Sequence, residues 1–241
     1  MRFLVILLWL IPGEPALAAC GNVSFEGASY SVCEAKVEDD LRLFLNGPDD
    51  TYGGFAAVDA ELAKKDGKLA FAMNAGMFHS DLSPVGLYVE NGETLAPLIT
   101  SDGPGNFGLL PNGVFCIGER FWVIESRKFA ATRPSCRFAT QSGPMLVIAG
   151  RLHPAFRPTS DSLNIRNGVG VSGDGKTAWF VISNGFVNFD SFARLFRDHL
   201  GSPDALFFDG SVSRLYAPEL DRTGAGFDVG PIVGLVVKRE K

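Results

Sequence analysis

Four short clusters of polar side chains in this sequence contain or adjoin a glycine. Because glycine has no side chain, it lets the backbone beside a polar group approach a ligand closely. Arginine, amide groups, hydroxyls and glycine-rich backbone can together bind a phosphate and sugar hydroxyls. A carboxylate in the same setting could assist cleavage of a glycosidic bond. The clusters are MNAGMFHSDLSP (73–84), TQSGPMLV (140–147), NIRNGVGVS (164–172) and DALFFDGSVSRLYAP (204–218).

Each cluster also has a structural interpretation. Asn74 and Asp209 can satisfy turn backbone, as asparagine and aspartate often do, and for these two residues the alternatives stay open. Taken alone, residues 141–144 are more typical of a plain loop and Arg166 of an ordinary ion-pair arginine. His79 also has a structural interpretation, as part of a surface loop, and we favour that interpretation.

Several familiar chemistries lack their motifs. The chain has no H-E-x-x-H, no Cys/His ligand spacing and no G-x-x-x-x-G-K-[ST], so neither a zinc enzyme nor a P-loop is predicted. It also lacks the G-x-S-x-G elbow of α/β-hydrolases. We therefore predict no metal and no cofactor.

The elements that must position these clusters are mainly hairpins. Asn91-Gly92 lies between two apolar-rich arms, which is the strongest short-range hairpin signal. Similar turns are predicted at residues 118–120, 149–150 and 173–175. We therefore expect the fold to consist mainly of antiparallel sheet.

Two helices are predicted from apolar spacing. The first ends near Gly67 and carries Phe55, Val58 and Leu62 on one face; the second ends at Gly201 and carries Phe189, Phe192, Leu195, Phe196 and Leu200.

Each predicted helix leads into a short apolar strand that ends in a polar residue and a glycine. These ends are Asn74-Ala75-Gly76 and Asp209-Gly210-Ser211. Fully apolar strands are usually central, and functional groups often gather where such strands end, so the two ends could lie side by side. The predicted fold is α+β: a single domain of mostly antiparallel or mixed β-sheet built from hairpins, with a few packed helices.

The first 19 residues have the pattern of a secretory signal: an early Arg2, an apolar core, a Pro/Gly break and small residues at the end. We predict a signal peptide at 1–19 and a domain at 20–241. No later stretch predicts a transmembrane helix. The protein is therefore expected to be exported, to a periplasmic or extracellular location.

Cys20 has two interpretations. The stretch LAAC resembles a lipobox, in which Cys20 would carry a lipid anchor. The cysteine count favours a disulfide instead, because lipidation would leave three cysteines in an exported chain. Proximity favours the pairs Cys20–Cys33 and Cys116–Cys136, although four cysteines permit three connectivities.

The net charge of the chain limits the classes of partner that we expect. The chain has a net charge of −5 and no basic cluster. Because phosphate neutralisation needs a Lys/Arg surface, nucleic acid is not an expected partner. A small molecule or glycan is the better expectation.

Taken together and in order, the four clusters resemble the phosphodiester glycosidase domain family, that of the lysosomal uncovering enzyme. The resemblance covers residues 71–237 and is closest to a branch of exported bacterial proteins. It includes the segments VGLYVENG and NGVF between the first two clusters. No single motif is specific, but the ordered set is.

The resemblance implies hydrolysis of a sugar-1-phosphodiester at its glycosidic bond, which releases the sugar and a phosphomonoester. It implies Asp209 as the catalytic carboxylate and Arg166 as the partner of the phosphate. The substrate-binding positions that it implies are Asn74, Gln141, Ser142, Gly143, Arg166, Asn167, Gly210, Ser211 and Ser213.

The chain departs from the family pattern at Ala75, Asn167 and Ser211, where glycine, threonine and glycine are common. These changes leave the substrate open. Two rival hypotheses remain: a non-catalytic carbohydrate- or phosphate-binding envelope protein on the same fold, and a structural protein whose polar clusters brace turns.

Overall fold

Three antiparallel sheets form the framework of the protein. A computed structural model describes residues 20–210 and 212–239; the predicted signal peptide and Ser211 lie outside these residues. Strands are numbered in chain order. The seven-stranded first sheet has the order β1 (Cys20–Phe25), β2 (Ala28–Lys36), β13 (Thr177–Ser183), β12 (Asn167–Val171), β14 (Asp204–Asp209), β10 (Met145–Ile148) and β11 (Arg151–Leu152).

The other two sheets have five strands each. The second has the order β16 (Arg222–Thr223), β15 (Leu215–Ala217), β4 (Gly67–Asn74), β17 (Ile232–Lys238) and β3 (Asp40–Phe44). The third has the order β6 (Glu93–Ala96), β5 (Tyr88–Glu90), β9 (Phe138–Ser142), β7 (Gly113–Ile117) and β8 (Phe121–Glu125).

The four predicted hairpins are confirmed. They join β5 to β6, β7 to β8, β10 to β11 and β12 to β13, all antiparallel. In the first of them Asn91 and Gly92 both have positive φ angles, 51° and 84°. This is the backbone that a two-residue primed turn requires, and asparagine followed by glycine tolerates it best.

Helices cover the outer faces of two sheets. α1 (Phe55–Ala63) buries Phe55, Val58 and Leu62, the predicted face, against the second sheet. α3 (Phe189–Arg194) packs on the first sheet and continues into one wide turn, Leu195–His199, where the Leu200 NH bonds the Leu195 carbonyl. A short α2 (Ser126–Thr132), which the sequence did not predict, begins where the Glu125 side chain accepts a bond from the Lys128 NH.

The main core lies where the three sheets meet. Phe180 of the first sheet packs against Phe71 of the second and Phe115 of the third, with ring centroids 5.4 and 5.7 Å away. Phe115 also contacts Phe208 of the first sheet. The predicted α+β fold of hairpins with a few packed helices is confirmed, and the strand ends of different sheets are brought together by this core.

Two disulfides join Cys20 to Cys33 and Cys116 to Cys136. The first links paired positions of β1 and β2. Because the sulfur of Cys20 is in this bond, the residue has no thiol left for a lipid.

Candidate active site

The candidate site begins at the paired ends of β12 and β14. Asn167 lies opposite Asp209, but Gly168 lies opposite Phe207, so the register shifts by one residue. A Cβ on Gly168 would lie 2.4 Å from the Leu206 carbonyl oxygen, and only glycine permits this approach. The shift is a bulge, and bulges commonly redirect side chains at strand ends.

Asn167 joins the two polar strand ends. Its Nδ2 donates to Oδ1 of Asn74 at 2.8 Å, and its Oδ1 accepts a bond from the Asp209 NH at 2.9 Å. Ser213 adds a bond from Oγ to the Asp209 carbonyl at 2.9 Å. Asn74 at the end of β4 and Asp209 at the end of β14 are thus held together across two sheets by one amide.

Asn74 is fully buried, and its amide orientation is fixed. Oδ1 accepts bonds from Asn167 and from the Arg214 NH, the latter at 2.9 Å. Its Nδ2 has no hydrogen-bond partner among the described residues. An unpaired buried donor costs about 1–3 kcal/mol, so this donor marks a place where stability is not optimised.

The Asp209 carboxyl group is also buried, with 8% of the residue exposed. Burial raises its pKa to about 6, although hydrogen bonds from the Gly210 and Val212 NH groups act in the opposite direction. The Gly210 NH lies 2.6 Å from Oδ1. A carboxyl group with this pKa can exchange a proton near neutral pH.

Arg166 is an almost fully buried arginine without a carboxylate partner among the described residues. Nε donates to the Val187 carbonyl at 2.9 Å, and one Nη donates to the Ser162 carbonyl at 2.8 Å. Its guanidinium carbon lies 3.6 Å from the ring centre of Phe189. Burial lowers the pKa of Arg166 to about 10, so the group is still a cation at neutral pH.

Arg166 and Asp209 line one cavity of about 220 Å³. Its other lining residues are Met77, Asn106, Asn164 and Gly210. The cavity therefore combines one uncompensated cation, one carboxyl group with a raised pKa and two amides, which suits an anionic, hydroxyl-bearing ligand.

Gln141 and Ser142, the predicted substrate-binding residues of the third sheet, form hydrogen bonds with other residues of the chain. Gln141 accepts bonds from the Leu87 and Ile99 NH groups, each at 3.0 Å, and donates to Oγ of Ser126. Ser142 donates to the Phe208 carbonyl at 2.8 Å. Their contact with a substrate stays a prediction, and the structure shows what else these side chains do.

Gly143 precedes a cis peptide bond to Pro144. A Cβ at this position would lie 2.6 Å from Cβ of Asn112, so the tight packing there needs glycine whether or not a ligand is bound.

The structure thus brings Asn74, Asn167, Asp209 and Ser213 into one hydrogen-bond network. Arg166 and Gly210 lie beside it in the cavity wall. The predicted site residues did not include three residues that line the cavity: Met77, Asn106 and Asn164. Asn106 lies in the glycine-rich segment GPGNFG, and a polar residue beside glycine was the signal that could have found it.

His79 is exposed and lies in the predicted surface loop. Within residues 20–210 and 212–239, no group of three or more His, Cys, Asp or Glu side chains could hold a metal ion. In the same part of the chain, no helix has both the length and the apolar character needed to cross a membrane.

Comparison with known proteins gives the family. The model of a family described as phosphodiester glycosidase matches residues 67–229. The chain belongs to the phosphodiester glycosidase family. The match spans Asn74, Arg166 and Asp209, and all other residues of the network.

A relative of this family member is the uncharacterised Escherichia coli (strain K12) protein YigE, 34% identical over 168 residues. The alignment covers 69% of this chain and 65% of YigE. The chain therefore matches slightly less than two thirds of that relative's length.

Two solved structures share the fold. One is the catalytic domain of zebrafish N-acetylglucosamine-1-phosphodiester α-N-acetylglucosaminidase, auto-inhibited by its pro-peptide; it has a TM-score of 0.59 and 14% identity, covering 93% of this chain and 85% of that one. The other is a hypothetical protein from Synechocystis, with a TM-score of 0.56 and 16% identity, covering 91% of this chain and 61% of that one.

Proposed function

We propose that this family member hydrolyses the glycosidic bond of a sugar-1-phosphodiester in an exported or envelope glycan. The observation that carries the proposal is that Arg166 and Asp209 line one cavity. Arg166 is a buried cation that bonds no carboxylate among the described residues, and Asp209 is a buried carboxyl group whose pKa is raised to about 6. The name of the zebrafish protein that shares the fold, an N-acetylglucosamine-1-phosphodiester glycosidase, supports the same class of substrate.

Arg166 binds the phosphodiester. Two of its guanidinium nitrogens are held by the Val187 and Ser162 carbonyls, which fixes the plane of the group before a ligand arrives. The other Nη has no hydrogen bond to a described residue and is the donor left for a phosphate oxygen. An anion bound there would compensate a charge that the fold leaves unpaired.

Asp209 acts as the general base. A phosphomonoester leaves readily as an anion when a cation stabilises it, so the leaving group needs no proton from Asp209. The carboxylate is therefore assigned as the base that accepts a proton from the attacking water. The water oxygen bonds to C1 of the sugar and its proton passes to Asp209. The bond from C1 to the phosphate oxygen breaks, and its electron pair stays on the phosphate beside Arg166.

The remaining network residues position these two groups. Asn167 holds the backbone of Asp209 and the amide of Asn74, so the fully buried Asn74 acts on the site through Asn167. Ser211 and Gly210 follow Asp209 directly and complete the proposed binding set with Ser213, Gln141, Ser142 and Gly143.

Export remains part of the proposal. Two disulfides form and persist in oxidising compartments and are rare in the cytosol. With residues 1–19 as a signal peptide, the domain at 20–241 would work in the periplasm or outside the cell.

The test is a screen of aryl and nucleotide-linked sugar-1-phosphodiesters in H₂¹⁸O. We expect reducing sugar to be released with ¹⁸O on the sugar, and the rate to rise with pH through about 6 as Asp209 ionises. Asp209→Asn should lower kcat by about 100- to 10,000-fold while substrate binding is retained. Label on the phosphate would instead show cleavage of the P–O bond and overturn the proposal.

Asp204→Asn is the matched control. Asp204 begins the same strand that Asp209 ends, and its carboxylate accepts a bond from the Ala149 NH outside the cavity. This variant should keep full turnover. Binding of the phosphodiesters without turnover by the unaltered protein would favour the rival hypothesis, a carbohydrate- or phosphate-binding protein.

A further inference from the structure

A second polar pocket lies beside the candidate site. It has a volume of about 470 Å³ and is lined by residues of the first sheet, by Arg222 on the edge strand of the second, and by residues between strands such as Ser213 and Leu220. The volume lies within the range of roughly 300–1,000 Å³ that is typical of ligand pockets. Among the described residues, Arg222 is the only charged one that lines this pocket, and none of the described carboxylates lines it.

Strand register places neutral hydrogen-bonding groups around this arginine. Asn22 and Ser31 are cross-strand partners in the β1–β2 hairpin. Oγ of Ser31 and Oδ1 of Asn184 each accept a bond from one Nη of Arg222, at 3.0 and 2.6 Å. Ser31 is only 1% exposed, whereas Asn22 and Asn184 are exposed and leave the pocket open to solvent on their side.

The charge of Arg222 is uncompensated within the described residues. Both of its hydrogen bonds to described residues come from one Nη, which leaves the second Nη and Nε for another acceptor. Burial lowers the pKa of Arg222. A half-buried cation among neutral partners costs desolvation free energy, which an anionic ligand would offset.

The two pockets share a wall. Ser213 lines the second pocket, and its Oγ bonds the Asp209 carbonyl at 2.9 Å. Ser183 also lines it, and its Oγ accepts a bond from the Arg166 NH at 3.0 Å. Catalytic-site residues and second-pocket residues are therefore in direct contact through both serines.

We propose that the Arg222 pocket binds a second anionic group of the same substrate, on the part of the molecule beyond the scissile phosphodiester. This inference rests on the proposed function for the identity of the ligand. It narrows the substrate class to molecules with at least two anionic groups, such as a glycan in which phosphodiesters or acidic sugars repeat.

Kinetics with two defined substrates tests the proposal. One is the methyl phosphodiester of a sugar that the protein cleaves; the other carries the same sugar and phosphodiester on a glycol whose far end bears a phosphate. We expect at least a tenfold lower KM for the second substrate. Arg222→Gln should remove that advantage and leave the methyl phosphodiester unaffected, and Arg222→Lys should restore part of it.

Arg239→Gln is the charge-matched control, because Arg239 pairs with Asp59 and is not among the described residues that line either pocket. It should leave both KM values unchanged. If Arg222→Gln slows both substrates equally, or neither, the second anion site is wrong.

Calorimetric titration with inorganic phosphate separates this inference from the proposed function. The unaltered protein should bind two phosphates, and Arg222→Gln and Arg166→Gln should each bind one. If the unaltered protein binds two phosphates but hydrolyses no phosphodiester, the proposed function is wrong and the anion site at Arg222 is retained. Retention of both sites in Arg222→Gln would overturn the pocket.

Discussion

Asp209 lies where ionisation is unfavourable to the fold. Burial raises its pKa from 3.8 to about 6, so the folded chain holds this proton more tightly than the unfolded chain does. Between about pH 4 and 6 the folded state therefore binds more protons, and the free energy of unfolding falls as pH rises. Above pH 6 the full cost of the buried carboxylate is present, which is the pattern expected where function is kept at the expense of stability.

Asp209→Asn should therefore stabilise the protein at pH 7 while it lowers turnover as predicted above. A difference of about two pKa units sets an upper limit of about 3 kcal/mol on the gain. The gain should be absent near pH 4 and should grow until pH 6, as measured by urea unfolding at a series of pH values. The exposed Asp161→Asn serves as the control; a gain that is independent of pH would show that desolvation of Asp209 is not its origin.

At the scale of elements, Gln141 holds three segments together: the residue before β5, the segment after β6 and the start of α2. From β9 it bonds Leu87, Ile99 and Ser126 while 2% exposed. Gly86 must be glycine beside it, because a Cβ there would lie 2.5 Å from Oε1 of Gln141. The amide is thus the common partner of three separate segments.

Gln141→Ala should lower the free energy of unfolding by about 2–4 kcal/mol, because it leaves a cavity and several backbone groups without their partner. Hydrogen exchange should accelerate at the Leu87 and Ile99 NH groups in particular. Thr94→Ala, on the exposed face of the neighbouring β6, should change neither quantity. Unchanged exchange at both NH groups would contradict the anchoring role.

At the scale of the whole molecule, the disulfides brace two different sheets. Cys20–Cys33 closes the edge hairpin of the first sheet, and Cys116–Cys136 ties β7 to the chain that enters β9 in the third. The second bond closes a loop of 20 residues that contains β8 and α2. Such a loop restricts the unfolded chain, which is the main way that a disulfide stabilises a fold.

A Cys116→Ser/Cys136→Ser variant should lose about 3 kcal/mol, the value expected for a loop of this length. The loss should appear in oxidising buffer, and a reductant should then destabilise the variant less than the unaltered protein. Denaturant unfolding with and without reductant measures both. Equal stability of the two proteins in oxidising buffer would show that the loop is already restricted in the unfolded chain.

Turn residues and apolar spacing predicted the elements that depend only on residues close together in the sequence. The turn at Asn91-Gly92 follows from residues that tolerate positive φ, and α1 follows from the spacing of Phe55, Val58 and Leu62. The seven-residue α2 was missed because it carries no apolar stripe and its cap, Glu125, ends an apolar strand. The wide turn after α3 was missed because helical spacing does not distinguish it from an ordinary turn.

For the candidate site, the sequence determined which polar residues stand beside glycine at strand ends, and their order along the chain resembled one family, which the match to residues 67–229 confirms. Only the tertiary structure decided how they meet. Asn167 bonds both Asn74 and Asp209 at the point where the register between β12 and β14 shifts by one residue. That register depends on packing between strands distant in sequence, and no local pattern encodes it.

The same division holds for the electrostatics. The sequence showed an arginine and an aspartate in separate clusters, with a turn or an ion pair as sufficient explanations for each. Burial, which the folded chain alone sets, lowers the pKa of Arg166, which bonds no carboxylate among the described residues, and raises the pKa of Asp209 to about 6. Residue types therefore fixed what chemistry was available, and the meeting of three sheets around one core decided where it is concentrated, because desolvation acts only on groups that the fold removes from water.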